Sequence, residues 1–419
     1  MLTVDAGHGR RTVPNRRRLL LVGLVLVVVL ICAGGGYVVT AALPVTNAVV
    51  EESMPSSTGA PTLAWPSYGA GAIAALDIDG PEEGGLLARY GSREAIPTGS
   101  IAKVVTALLI LAVKPIPAGS DGEMITFTDA DVGYYLAARA GGESVAPVTV
   151  GLRLTQRQAL TAMMLPSANN YAKSLALWSY GSEEAFLVAA RTWLTNHGFT
   201  RTVLADTSGL SPATVSTTAE IVRLGKLLLA NPVLAPIVAL PSAVLPTIGK
   251  LENTNSLLGR LGIDGIKSGT TDSAGSCLLF SLTTTVEGRP TTIVGVVTGA
   301  SARAQLMADI LTLIPSVEAG FHTVQLTTVG QRYGSYTSVW GQSVAAETME
   351  ARSLVAWGAV SRTTTVTLDA VRTVTDGQRV GTVTVSVNGA AYELPLVTGG
   401  ALEEPGVGWR ITHLAALGG

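Results

Sequence analysis

A long uncharged segment near the amino terminus constrains the fold of this chain more than any other feature. It runs from Leu19 to about Leu43, directly after the basic residues Arg10, Arg11, Arg16, Arg17 and Arg18. About 20 apolar residues suffice to cross a bilayer as a helix, which satisfies its own backbone hydrogen bonds. The sequence therefore predicts a transmembrane anchor over residues 19–43, preceded by a cytoplasmic basic tail over residues 1–18.

Everything after residue 43 is then expected outside the cell, because basic flanks stay on the cytoplasmic side. This makes the chain a predicted single-pass protein of the cell membrane. A cleaved signal peptide is the competing interpretation, since its first region is also basic. The uncharged run is longer than the apolar core of a usual signal peptide, which favours an uncleaved anchor.

Composition excludes several classes of function. The formal net charge is −2, so no electrostatic feature predicts nucleic-acid binding. Only two cysteines occur, Cys32 and Cys277, which leaves no disulfide framework and no Cys-rich metal site. Of the four histidines only His197 lies mid-chain, so a Ser-His-Asp triad or a multi-histidine zinc site is hard to assemble. We therefore expect no metal and no cofactor.

The rest of the chain divides into three predicted segments. Residues 44–66 are rich in Pro, Ser and Gly and predict a flexible linker. Residues 67–320 run from strands through helices back to strands, which predicts an α+β domain with a helical cluster packed on an antiparallel sheet. Residues 321–419 predict a small carboxyl-terminal all-β domain, in which Asn388-Gly389 signals a type I′ hairpin.

Local patterns place the elements of the α+β domain. A hairpin is predicted from Ala72 to Tyr90, with its turn around residues 80–85. Apolar spacing predicts a helix over Ser100 to Val113. The remaining predictions are helices near 157–164, after Ser167, Glu183 and Thr218, and at 303–314, with strands at 265–268, 277–284 and 292–297.

Ser100 and Lys103 form an S-x-x-K motif at the start of the first of these helices. Their i, i+3 spacing puts both side chains on one helical face, and the helix start offers backbone N–H groups to a developing oxyanion. A lysine can act as base for a serine only when it is neutral, which burial or a second cation promotes. The alternative is an N-cap serine beside a solvated lysine, and the motif alone favours that simpler interpretation.

Two further motifs are weak when taken singly. Ser167 and Asn169 offer a hydroxyl and an amide in a turn, where they can shuttle a proton and hold a substrate amide. Lys267-Ser268-Gly269-Thr270 lies on a predicted strand, where Gly269 permits close approach of a substrate backbone. Lys267 can bind a carboxylate and help to keep Lys103 neutral, although edge-strand lysines also serve simply to prevent aggregation.

Together the motifs occur in the order S-x-x-K, S-x-N and K-S-G, which is typical of penicillin-recognising serine enzymes. Similarity to one family extends from about residue 68 to 320. The chain resembles D-alanyl-D-alanine carboxypeptidases of the low-molecular-mass penicillin-binding type in the segments LPSANN (165–170), STTA (216–219), NTNSLL (253–258) and GIDGIKSGTTDSAG (262–275).

The resemblance implies a β-lactamase/transpeptidase-like fold and removal of the terminal D-alanine from peptidoglycan stem peptides, with β-lactam antibiotics as covalent inhibitors. It implies Ser100 as acyl carrier, Lys103 as base, and Ser167 and Asn169 as relay and orienting groups. It also implies substrate binding by Lys267, Ser268, Gly269 and Thr270, with the N–H groups of Ser100 and Thr270 as oxyanion hole. Arg303 resembles the family arginine that steadies the terminal carboxylate.

The sequence departs from the family pattern at Ala102, Ala168 and Ser268, which stand where Thr, Gly and Thr are usual. None of these changes removes a chemical role. A β-lactamase is one alternative, but it needs a Glu-x-x-Leu-Asn pattern after S-x-N, and neither Glu183 nor Glu184 has it. A DD-endopeptidase would use the same residues, and a catalytically silent cell-wall-binding scaffold would be expected to break a motif.

Overall fold

The computed structural model describes residues 16–51, 56–57 and 59–418, so most of the predicted basic tail lies outside the described residues. Single 3₁₀ turns occur at Glu83–Gly85, Gly99–Ala102 and Leu414–Ala416. The described α-helices are α1 (Arg16–Thr40), α2 (Lys103–Val113), α3 (Asp129–Ala140), α4 (Gln156–Met164), α5 (Asn169–Tyr180), α6 (Glu183–Asn196), α7 (Thr218–Leu229), α8 (Leu234–Val238), α9 (Arg303–Glu318) and α10 (Val407–Thr412).

The described strands fall into two groups along the chain. Those up to residue 300 are β1 (Asn47–Val50), β2 (Ser56–Ser57), β3 (Ala70–Ala75), β4 (Ala88–Tyr90), β5 (Ile96–Pro97), β6 (Met124–Thr126), β7 (Arg153–Thr155), β8 (Val215–Ser216), β9 (Ser242–Leu245), β10 (Gly249–Glu252), β11 (Ile263–Thr271), β12 (Gly275–Val286) and β13 (Arg289–Ala300). Those after it are β14 (Phe321–Thr327), β15 (Arg332–Thr337), β16 (Ser343–Glu347), β17 (Arg352–Trp357), β18 (Ser361–Leu368), β19 (Arg379–Val387) and β20 (Ala390–Thr398).

The larger of two structural units comprises residues 57–324 and 354–360. Its centre is a five-stranded antiparallel sheet in the order β11-β12-β13-β3-β4. Successive side chains of a strand point to opposite faces of the sheet, so β3 contributes to two hydrophobic cores. Ala72 and Ala74 join the core under α2, α4, α5 and α7, whereas Ile73 and Ala75 join the core that packs against α9. The predicted α+β class, with helices on an antiparallel sheet, is confirmed.

The smaller unit comprises the described residues up to Ser56 together with residues 325–353 and 361–418. Its seven-stranded sheet has the order β1-β15-β16-β20-β19-β18-β2. The predicted hairpin joins β19 to β20, and Asn388 and Gly389 have φ values of 50° and 86°, as a type I′ turn requires. Its described residues also include the short helix α10, so the unit is not purely β.

The predicted flexible linker over residues 44–66 is wrong in part. Residues 47–50 form β1, which pairs antiparallel with β15 in the register Asn47↔Thr337 to Val50↔Gly334. Thr46, just before the strand, is buried. Val49 and Val50 have high strand propensity, but the surrounding Pro, Ser and Gly residues dominated the composition of this segment. The composition of residues 44–66 does not indicate a strand partner that lies almost 300 residues further along the chain.

The predicted anchor corresponds to α1, which begins and ends three residues earlier than the uncharged run. Arginine is a good helix former, so the helix extends back into Arg16–Arg18. Its end lies before Pro44, a residue that disfavours helical conformation in its predecessor. Among the described helices α1 is long and apolar enough to cross a membrane, although a signal sequence near the amino terminus meets the same criterion.

Candidate active site

Ser100 lies in the 3₁₀ turn Gly99–Ala102, which leads directly into α2. The sequence predicted one continuous α-helix here, and the difference has a geometric consequence. In a 3₁₀ helix the side chains at i and i+3 are eclipsed, so the turn stacks Ser100 on Lys103. The Lys103 ammonium nitrogen Nζ lies 2.9 Å from Ser100 Oγ, so the predicted pair is in contact.

Lys103 is fully buried, which excludes a solvated first-turn lysine. Its Nζ also lies 2.6 Å from Asn169 Oδ1 and 2.9 Å from the Ser208 carbonyl oxygen. Burial lowers the pKa of Lys103 from 10.5 to about 7, against the opposing negative charges of Asp206 and Glu143. A neutral amine has two N–H groups and one lone pair, so it can donate to Asn169 and Ser208 while accepting the Ser100 proton.

Ser167 lies two residues before α5, and Asn169 is the first residue of that helix. Ser167 has φ = 64°, the left-handed region that a non-glycine residue rarely adopts, and its side chain is buried. Within residues 16–51, 56–57 and 59–418, its hydroxyl has no hydrogen-bond partner. Strained backbone and a buried unpaired hydroxyl each reduce stability, and both are concentrated at functional sites.

Replacing Ser167 by alanine is expected to raise stability and lower activity. The change deletes the unpaired hydroxyl, whose burial costs about 1–3 kcal/mol, and leaves the backbone strain in place. We expect the free energy of unfolding to rise by about 1 kcal/mol and acylation by penicillin to slow on the order of 100-fold. Urea unfolding and stopped-flow acylation measure the two effects. A variant that is less stable, or equally reactive, would contradict this assignment.

The K-S-G segment lies on β11, an edge strand of the five-stranded sheet. Lys267 is only 2% exposed and donates from Nζ to the Ser268 carbonyl oxygen at 2.9 Å. It is therefore not a solvated edge-strand lysine. Burial holds the pKa of Lys267 well below its ordinary range, and the charge of Lys103 is the second cause. For Lys103, however, burial rather than Lys267 is the dominant cause of the low pKa.

Close packing brings β11 against the turn that carries Ser100. A Cβ added at Gly269 would lie 2.8 Å from the backbone nitrogen of Ser100, so only glycine allows this approach. A Cβ added at Gly99 would lie 3.6 Å from the backbone nitrogen of Thr270. The backbone nitrogens of Ser100 and Thr270 thus both lie where β11 packs against the turn, and their role as an oxyanion hole stays a prediction.

The remaining predicted residues surround this space less closely. The Ser268 hydroxyl forms a 2.7 Å hydrogen bond with the Thr254 hydroxyl. Thr270 is exposed, and Arg303, the first residue of α9, donates from Nη2 to Thr270 Oγ1 over a long 3.5 Å contact. The Arg303 guanidinium is thus close enough to the K-S-G strand to contact a ligand bound there.

Three residues at the site were missed by the sequence reasoning. Glu143 accepts a 2.6 Å hydrogen bond from Asn169 Nδ2, and Ser208 supplies a carbonyl to Lys103. Asp206 holds the loop of Ser208 by accepting from Ser208 N, Ser208 Oγ and Leu210 N. None belongs to a recognisable motif. The carboxylate pattern of a β-lactamase follows S-x-N, whereas Glu143 precedes Ser167.

A turn serine contacts a buried lysine, which the asparagine of an S-x-N segment also contacts, and a K-S-G edge strand packs against the turn. This combination is typical of penicillin-recognising serine enzymes. The sequence profile of the peptidase S11 family, D-alanyl-D-alanine carboxypeptidase, matches residues 68–302. The chain belongs to this family. Its members are serine hydrolases that act through an acyl-enzyme on peptidoglycan peptides and also bind β-lactams. The predicted family, fold class and enzyme class are thereby confirmed.

Individual relatives agree with this placement. A D-alanyl-D-alanine carboxypeptidase of Streptomyces sp. strain K15 is 29% identical over 203 residues, covering 44% of this chain and 68% of the relative. The crystal structure of the Streptomyces K15 DD-transpeptidase superposes with a TM-score of 0.53 and 24% identity, over 62% of this chain and 98% of that one. Penicillin binding protein 5 from Haemophilus influenzae, at 17% identity, shares the fold over 82% of this chain and 99% of its own, with a TM-score of 0.57.

Proposed function

We propose that this chain removes the terminal D-alanine of peptidoglycan stem peptides through an acyl-enzyme on Ser100. The observation that carries the proposal is the 2.9 Å contact between Ser100 Oγ and the fully buried Nζ of Lys103, whose pKa is lowered to about 7. A base is most effective when its pKa lies near the working pH. Burial supplies that condition here, because it lowers the pKa of Lys103 by more than the charges of Asp206 and Glu143 raise it.

In the first half-reaction neutral Lys103 takes the Ser100 proton while Oγ attacks the carbonyl carbon of the penultimate D-alanine. The oxyanion receives hydrogen bonds from the N–H groups of Ser100 and Thr270. The C–N bond then breaks, and the proton passes from Lys103 to the nitrogen of the departing D-alanine. The unpaired hydroxyl of Ser167 serves as the relay, and Asn169 orients the substrate amide.

In the second half-reaction water attacks the ester carbonyl carbon and gives its proton to Lys103, which returns it to Ser100 Oγ. The products are the shortened peptide and the free enzyme. Substrate lies along the edge of β11, whose backbone can pair with an extended peptide over Ser268, Gly269 and Thr270. Arg303, at the exposed end, provides positive charge for the terminal carboxylate, and Lys267 provides a buried hydrogen-bond donor beside it.

We further propose that α1 is an uncleaved, single-pass membrane anchor and that the larger unit acts outside the cell. The uncharged length of the helix and its basic start, Arg16–Arg18, support this placement. In this arrangement residues 1–18 are cytoplasmic, residues 67–320 are catalytic, and the β-rich residues 321–419 accompany them outside. Amino-terminal sequencing of the mature protein tests the anchor, since a start beyond residue 40 would indicate a cleaved signal peptide.

Incubation of the full chain with a stem pentapeptide tests the proposed reaction. We expect stoichiometric release of free D-alanine, and mass spectrometry after brief labelling with penicillin should locate the acyl group on the peptide that contains Ser100. A cross-linked peptide dimer provides the comparison, because an endopeptidase would cleave it at least as fast as the pentapeptide. Absence of D-alanine release, or an acyl group on another serine, would overturn the proposal.

A further inference from the structure

The side chain of Asn169 can support Lys103 in only one of its two amide orientations. In the structure Oδ1 accepts from Lys103 Nζ at 2.6 Å. Rotation of the amide by half a turn would bring the NH₂ group to the same place with almost no change in shape. The NH₂ group would then donate a hydrogen bond to the lone pair of Lys103 Nζ. That lone pair must stay free to accept the proton of Ser100 Oγ. The orientation of this amide therefore determines whether Lys103 can act as a base.

Glu143 is the partner that can set this orientation. Its Oε2 accepts from Asn169 Nδ2 at 2.6 Å, on the side of the amide away from Lys103. An ionised carboxylate can only accept hydrogen bonds. A hydrogen bond to a charged acceptor is about twice as strong as a hydrogen bond between neutral groups. The rotated amide would turn its oxygen towards the carboxylate and replace this bond by repulsion.

The loop that carries Glu143 is fixed against the start of α5. Glu143 N donates to Ala138 O at 3.0 Å at the end of α3, and Asn169 N donates to Ser144 O at 2.8 Å. Asn170 bonds through its side chain to both N and O of Ala146, at 3.1 and 3.0 Å. The backbone that carries the Glu143 carboxylate is thus fixed by hydrogen bonds on both sides.

The other charged groups around this cavity of about 260 Å³ have different partners. Glu183 pairs with Lys173 at 3.2 Å. Asp206 is engaged by the loop of Ser208 and by Thr214 Oγ1 at 2.6 Å. Among the described carboxylates that line the cavity, only Glu143 bonds to Asn169.

We propose that Glu143 is a positioning residue for acyl transfer: its carboxylate keeps Asn169 Oδ1 directed at Lys103 and so leaves the lysine lone pair free for Ser100. This inference rests on the proposed role of Lys103 as the base. It assigns no contact between Glu143 and the substrate. It predicts that the effect of Glu143 on the rate at the optimum pH passes through Asn169, whereas its charge acts on the pKa of Lys103 directly.

The test measures second-order acylation rates with a fluorescent penicillin from pH 5 to 10, on the full chain in detergent. Glu143→Ala is expected to slow acylation at least tenfold at the optimum pH, because the released amide then turns its NH₂ group to the Lys103 lone pair in most molecules. Glu143→Gln should stay within threefold of the unchanged protein at that pH, because its Oε1 can accept the same hydrogen bond. Glu183→Gln, the matched control in the same cavity, should leave the rate unchanged.

Two further readouts separate positioning from a merely structural role. The charges of Asp206 and Glu143 raise the pKa of Lys103. The charges of Lys103 and Arg303 lower the pKa of the buried Lys267. Loss of the Glu143 charge removes an influence that raises the pKa of Lys103, so Glu143→Gln should move the acidic limb of the rate profile to lower pH. In an Asn169→Ala background, Glu143→Ala should have no further effect on the rate at the optimum pH.

Three results would overturn the inference. These are a rate for Glu143→Ala within threefold of the unchanged protein, a full additional loss in the Asn169→Ala background, or an unshifted acidic limb for Glu143→Gln. Thermal unfolding of each variant identifies misfolding, and Glu143→Gln keeps the test decisive if the alanine variant is unstable. If Ser100→Ala still reacted, the proposed function itself would fail, whereas normal Glu143 variants beside an inert Ser100→Ala would refute this inference alone.

Discussion

Ser100→Ala is expected to abolish covalent labelling by penicillin and release of D-alanine. The alanine variant has no oxygen to form the ester, and the rate of acylation should fall by at least on the order of 10⁴-fold. Lys103 keeps its contacts with Asn169 Oδ1 and the Ser208 carbonyl, so the site should retain its shape. Labelling followed by denaturing gel electrophoresis, with a D-alanine assay on the same sample, measures both losses.

Ser120→Ala provides the matched control for this substitution. Its hydroxyl accepts a 3.0 Å hydrogen bond from Gly122 N and has no contact with the site. We expect normal labelling of this variant. The free energy of unfolding of Ser100→Ala should differ from that of the unchanged protein by no more than about 1 kcal/mol, the net value of one hydrogen bond. A labelled band in Ser100→Ala would exclude the acyl-enzyme at this serine.

Lys103→Met is expected to slow acylation by on the order of 10²–10⁴-fold, the usual contribution of a general base. Methionine fills a similar buried volume but cannot accept a proton. In the unchanged protein the pKa of Lys103 is lowered to about 7, and only the neutral amine is competent. The acylation rate should therefore rise with pH up to about 7 and fall roughly tenfold per pH unit below that value.

Lys103→Arg sharpens the same test. The guanidinium retains the positive charge but stays protonated at every accessible pH, so this variant should remain slow and should lose the limb near pH 7. Lys114→Met removes a lysine just beyond the end of the same helix, where Nζ bonds to Glu123 at 3.0 Å, and should acylate normally. Reaction of Lys103→Arg at the ordinary rate would contradict the role of Lys103 as the base.

Local sequence patterns predicted most of the elements that form the site. The helix after the first hairpin, the helix that begins near Ser167 and the strand that carries Lys267 all lie where spacing and propensity indicated. Helical and strand periodicities depend on residues within one or two turns, so they can be recognised without the fold. The 3₁₀ conformation at Ser100 was not predicted, because that distinction depends on how the turn packs against β11.

The pairing of distant segments was the part that the sequence left open. Residues 47–50 were predicted to be flexible, yet they form β1 against a strand that lies far along the chain. The contact between Glu143 and Asn169 was missed for the same reason, since no spacing rule joins a loop carboxylate to a later helix start. Such contacts depend on loop closure and on the packing of the whole sheet.

By itself the sequence determined the apolar helix, the order of the three motifs and, through their resemblance, the family. The tertiary structure alone decided that Ser100 and Lys103 are more than an N-cap and a solvated charge. Lys103 and Lys267 are ordinary lysines until helices and strands from distant parts of the chain remove them from water. A pKa depends on desolvation and on neighbouring charge, and both are properties of the folded chain rather than of residue spacing.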